Sequence, residues 1–150
     1  MPYLTDWIKD RVEFTFDGQL RADEIEEAAQ EIYNDPRFQQ CRLQIFDFSN
    51  ASLATVDFND IQNYAMHDSY ISNSILGNAD CKIAIVSRDP HVHDLTEHYR
   101  SFSHTLNIQW DTQMFEDINS ARAWGLNEPA YTAPTVELNI ISKPIVALLP

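Results

Sequence analysis

The sequence predicts an α/β protein in which four successive βα units form a mostly parallel sheet flanked by helices, followed by an extended C-terminal arm. Three observations predict it. Short apolar, strand-like runs alternate four times with segments of helical spacing, the pattern of parallel strands joined by crossover helices. The run Lys82-Ile83-Ala84-Ile85-Val86 is almost continuously apolar, as a strand buried on both faces should be. Residues 127–150 break the rhythm and hold four of the seven prolines.

The elements follow in order. Arg11 to Phe16 alternates polar and apolar residues, which marks a half-buried strand, and Asp17-Gly18 is expected to turn the chain. Ile25, Ala28, Ala29 and Ile32 then fall on one helical face. Asp23 and Glu26 have the spacing of a capping box, and Asp35-Pro36 should end the helix. Leu43 to Phe48 reads as a second, central strand, and Ser49 to Ser52 as a loop. Asp57 can cap a second helix carrying Ile61, Tyr64 and Ala65. His67 to Asp80 shows no clear period.

The third strand is Lys82 to Ser87. Asp89-Pro90 supplies an N-cap and a first-turn proline, and Val92, Leu95, Tyr99, Phe102 and Leu106 form the best helical stripe in the chain. A fourth strand lies within Ile108–Phe115. Asp117 caps a last helix with Ile118, Ala121 and Trp124, which Gly125 is expected to close. Residues 1–126 are therefore read as the α/β domain. Residues 127–150 are read as an arm with one short strand at Val136, Leu138 and Ile140. Ile141, Ile145, Val146, Leu148 and Leu149 would each gain about 1.5–3 kcal/mol by burial, so the arm should dock on its own domain or on a second subunit.

Composition bounds the function. Ten Lys and Arg against 23 Asp and Glu give 150 residues a formal charge of −13, which disfavours nucleic acid and anionic membrane as partners. The sequence has no apolar run near the roughly 20 residues of a bilayer span and does not open on a signal-peptide pattern, so a cytoplasmic location is expected without integral membrane contact. Cys41 and Cys81 each precede a strand. If those strands are parallel neighbours the thiols approach each other, and a reducing compartment would leave them free.

Chemistry-bearing motifs are sparse. His91, His93, His98 and His104 cluster, yet one helix presents at most two of them on a face, so they are weak metal candidates and no metal or cofactor is expected. The three glycines form no phosphate-cradling loop and no nucleophile elbow, and no catalytic residue is assigned. A general acid would need a buried carboxyl with a raised pKa, which no pattern in the sequence identifies. Tyr64, Tyr70, Ile71, Ile75, Tyr99 and Phe102 are candidates to line an apolar cleft between the second and third helices, although such spacing also suits plain core.

Four segments together carry a resemblance: Val12 to Gly18, Ile45-Phe46-Asp47-Phe48, Lys82 to Val86, and Phe115-Glu116-Asp117 running to Ala121 and Trp124. Over residues 8–126 the chain resembles the SpoIIAA-like family, which shares its fold with STAS domains and more distantly with SEC14-type lipid-binding domains. The resemblance implies a non-catalytic regulatory or protein-interaction module. In anti-sigma-factor antagonists of this type a serine at the start of the second helix is phosphorylated. Here that seat reads Thr55-Val56-Asp57-Phe58, so the serine and its following glycine are absent and the usual switch is not expected. Ser49, Ser52, Thr55 and Asp57 are the candidate interaction loop. The alternative, on the SEC14 analogy, is a carrier or sensor for a small apolar or lipid-like ligand. Self-association through the arm and a partner protein are the expected contacts.

Overall fold

The computed structural model describes residues 3–74 and 80–126. Its five strands are β1 (Tyr3–Ile8), β2 (Arg11–Gln19), β3 (Leu43–Ser52), β4 (Lys82–Val86) and β5 (Asp111–Phe115), and its helices are α1 (Ala22–Tyr33), α2 (Phe58–Ser72), α3 (Pro90–Thr105) and α4 (Ile118–Leu126). The sheet runs in sequence order, β1 to β5. β2, β3, β4 and β5 pair parallel, and β1 pairs antiparallel with β2. The fold is thus the expected α/β architecture with one strand added at its edge. The arm, residues 127–150, lies outside the described residues.

β1 escapes the sequence pattern because it is an edge strand with one exposed face: Leu4, Thr5 and Asp6 lie open while Tyr3 packs inside. Its turn, Lys9-Asp10, has Lys9 at φ +56° without the usual Asn-Gly signature. Asp17-Gly18 is not a turn. β2 continues to Gln19, and the register against β3 slips between Thr15 and Asp17, with Gly18 at φ +78°. The extra residue lies on β3, and Gly18, paired with Ala51 just past the slip, takes a positive φ that glycine adopts without strain. β3 likewise runs on through Ser49–Ser52, because β2 past the bulge still offers it a partner.

Helix starts follow the sequence at three of four sites. Asp57 accepts from Asp60 N at 2.9 Å and Asp60 returns the bond to Asp57 N at 2.9 Å. Asp89 accepts from His91 N at 2.9 Å, with Pro90 in the first turn, and Asp117 accepts from Ser120 N at 2.8 Å. α1 differs: it starts two residues earlier than an Asp23 cap requires, and Glu24 closes back on Arg21 N at 2.8 Å. Asp23 instead pairs with Arg21 on the surface.

Parallel crossovers of one hand, stepping one way along a sheet, leave their helices on one face. α1, α2 and α3 accordingly share one core with Phe14, Phe16, Phe46, Phe48 and Ile83, and the phenylalanine rings pack 4.8–6.3 Å apart. α4 covers the other face, over Leu43, Ile45, Ala84 and Val86. Gly125 is inside α4 rather than beyond its end, and a Cβ there would overlap the Leu43 side chain, so its role is close helix–strand approach. On this face Glu13, buried in β2, accepts two bonds from Arg122 at 2.7 and 2.8 Å and one from Arg11 at 2.6 Å. Burial alone would push the Glu13 carboxyl up; the bonds from Arg122 and Arg11 outweigh it and hold the carboxyl below its ordinary value.

Candidate functional site

The feature that sets this domain apart is a cavity of about 100 Å³ between the three helices and the sheet. Its floor is Phe46, Phe48, Ile83 and Ile85 from β3 and β4. Its sides are Ile25 and Ala29 from α1, Ile61 from α2, and Val92 and Leu95 from α3. Each is there because its strand or helix turns that face inward.

Into this apolar wall α2 places Asp68, which is only 9% exposed. The Tyr33 hydroxyl of α1 donates to one carboxylate oxygen at 2.6 Å, and the Tyr99 hydroxyl of α3 donates to the other at 2.6 Å. Three helices thus meet on one carboxyl group. Burial pushes the Asp68 carboxyl up to about 6, against the opposing pull of the two hydroxyl bonds and of His67. Burial, and then the neighbouring Asp68 charge, push Tyr33 and Tyr99 well above the ordinary tyrosine value, so both stay protonated and donate. His67 stacks on the Tyr33 ring with centroids 6.0 Å apart and lies within hydrogen-bond reach of Gln30. Tyr64 donates to Ala22 O at 2.5 Å, which ties α2 to the start of α1. From β5, Thr112 also lines the cavity; its buried hydroxyl has no hydrogen-bond partner among the described residues.

Of the cleft candidates, Tyr64 and Tyr99 line this cavity. Ile71 and Phe102 are half-buried and pack against the core beside it. Tyr70 is 76% exposed and points away from it, and Ile75 lies outside the described residues. Asp68 itself was not anticipated. The signal lay in the spacing Ile61, Ala65, Asp68, Ser72, the buried stripe of α2, whose last two letters are polar.

The other candidates are dispersed. In the loop, Ser49 donates to Asp47 at 2.6 Å, Ser52 accepts from Ala54 N, Thr55 donates to Leu20 O at 3.2 Å, and Asp57 caps α2. His91 bonds Val56 O at 3.0 Å, His98 stacks on Phe58 at 4.3 Å, and His93 is exposed. Among the described residues no three His, Cys, Asp or Glu side chains gather as a metal site. Cys41 and Cys81 do approach, Sγ to Sγ 4.0 Å, because β3 and β4 are parallel neighbours; both are buried and not joined as a disulfide. No described helix is long and apolar enough to cross a membrane.

Fold and site together define a small α/β domain with a mainly apolar cavity whose wall holds one buried carboxyl, Asp68, and a second, Glu26. No family profile and no curated protein matches the chain. Among solved structures it is similar to the crystal structure of an uncharacterized protein of the DUF3478 family with a SpoIIAA-like fold, from Shewanella loihica PV-4. The identity is 13% and the TM-score 0.47, over 82% of this chain and 91% of that one. What the cavity does is read from its own residues.

Proposed function

We propose that this protein is a binding module that takes a small, mainly apolar molecule into the cavity between its three helices and its sheet. The observation that carries this reading is the buried Asp68, set in an apolar wall and gripped by one tyrosine from each of two other helices. Burying a carboxyl is costly, and a fold that needed only a core would fill this position with an apolar side chain. Tyrosines held in their protonated form make the cluster a fixed hydrogen-bonding anchor, suited to holding a molecule. A cavity of about 100 Å³ is smaller than the roughly 150 Å³ of one that admits benzene, so the occupant is smaller than benzene.

The SpoIIAA-like resemblance implied a regulatory interaction module working through Ser49, Ser52, Thr55 and Asp57. Each of those side chains has a local hydrogen-bond task, which favours the cavity over the loop as the seat of function. A regulatory role is kept as the context in which a bound molecule would matter. Native mass spectrometry of freshly purified full-length protein tests the binding reading. A reproducible added mass, lost on denaturation and lost in Ala29→Phe, supports it. A clean unliganded mass, together with no shift of cavity methyl resonances on adding small apolar compounds, overturns it.

A further inference from the structure

The cavity has a chemical sign. Its ionisable lining is acidic: Asp68 and Glu26, with His67 beside them and no lysine or arginine in its wall among the described residues. None of the ion pairs among the described residues includes Asp68. Each Asp68 oxygen accepts one tyrosine hydroxyl, and a carboxylate oxygen has room for a second donor. The unpartnered Thr112 hydroxyl is a second polar group waiting in the same wall. A buried polar atom without a partner is uncommon and calls for an explanation.

Three head groups can be compared. A carboxylate or phosphate would face Asp68 and Glu26 and be repelled. A neutral hydroxyl would satisfy one oxygen and leave the buried charge uncompensated. An ammonium supplies three N–H donors and the missing positive charge together. Resting on the cavity-binding reading, we propose that the occupant is a short primary aliphatic amine, its ammonium group seated on Asp68 and Thr112. Its chain lies against Phe46, Ile61, Ile83 and Leu95.

Ionisation adds a second signature. The titratable groups facing Asp68 are Tyr33 and Glu26 of α1, His67 of α2, Tyr99 of α3 and, through the tyrosines, Cys81 ahead of β4. Both tyrosines stay neutral across this range, while Asp68 gains its charge as it titrates near 6. An amine keeps its proton throughout, as lysine does below about 10.4. If only the ionised form binds, affinity at pH 5 falls roughly ten-fold from its value at pH 7.5.

Titration calorimetry of the full chain with n-propylamine, 1-propanol and propanoate at pH 7.5 and pH 5 is the test. The expected result is amine binding at least ten-fold tighter than either analogue at pH 7.5, with that preference shrinking at pH 5. The preference should vanish in Asp68→Asn. Thr112→Val, a milder change, should weaken amine more than alcohol. Alcohol binding as tightly as amine would overturn the amine assignment while leaving the cavity reading in place. No binding by any of the three would overturn the amine assignment and count against the cavity reading as well.

Discussion

Replacing Asp68 by Asn should destabilise the protein at low pH and stabilise it at neutral pH. In the wild-type protein the carboxyl titrates near 6 when folded and at the ordinary 3.8 when unfolded. Below 3.8 it is neutral in both states and costs nothing. Between the two values the unfolded chain releases the proton and the folded chain keeps it, so stability falls with rising pH. Above 6 the full penalty is present, about 3 kcal/mol from the difference between the two values. Asn never ionises. It keeps one acceptor for Tyr33 or Tyr99 and turns its amide N–H toward the other, a loss of about 1–2 kcal/mol that does not depend on pH. The stability of Asp68→Asn minus that of wild type should therefore rise by about 2 kcal/mol between pH 4 and pH 7, most of it below pH 6. Taking the difference removes the titration of the chain's other acidic groups. Urea unfolding followed by circular dichroism across that range supplies the numbers. Parallel stability profiles for the two proteins would refute the reasoning, because they would mean that Asp68 ionises alike in both states.

Other consequences follow from single contacts. Tyr99→Phe removes a donor to the charged form, so the Asp68 midpoint should move above 6, and the loss of stability, about 1–3 kcal/mol at pH 7, should shrink at pH 4. Arg122→Ala leaves Glu13 buried with Arg11 alone and should cost about 1–3 kcal/mol. Because the Glu13 carboxyl is held low, that contribution is present above the ordinary glutamate value and is lost as pH drops through the folded one, which unfolding at pH 7 and pH 3 would show. Gly125→Ala drives a methyl into Leu43 and should destabilise by about 1–3 kcal/mol despite better helix propensity, read as a lowered Tm. Cys41 and Cys81 are buried, so a thiol reagent should label them only at the rate of unfolding; immediate labelling would contradict their placement. The proposal that residues 127–150 join copies of the chain predicts a smaller mass by light scattering for a chain ending at Leu126. Identical monomeric masses would remove it.

The parts of this molecule legible in the sequence are those where burial and periodicity coincide. β4 is continuously apolar because it is covered on both faces, and α3 carries Val92, Leu95 and Tyr99 in step with its turn. The caps at Asp57, Asp89 and Asp117 were legible because capping is a local hydrogen bond that needs no tertiary information. β1 was hidden because an edge strand with one open face has little pattern to show. The second half of α2 was hidden for the opposite reason: its inner face is buried but polar, since Asp68 finds its partners on α1 and α3, far away in sequence. Tyr64 and Tyr99 could be nominated from their helical spacing, whereas the meeting of Tyr33, Asp68 and Tyr99 exists only once three helices are packed on one sheet face.

The carboxyl carbon of Asp68, followed by NMR in carbon-labelled full-length protein from pH 3 to pH 8, tests the centre of this account most directly. A single midpoint close to 6, with Tyr33 and Tyr99 remaining protonated across the range, is what a charge confined between two tyrosines in an oily chamber requires. A midpoint at the ordinary 3.8 would show a solvated side chain and one below it a carboxylate favoured by its partners over burial; either result would contradict the account.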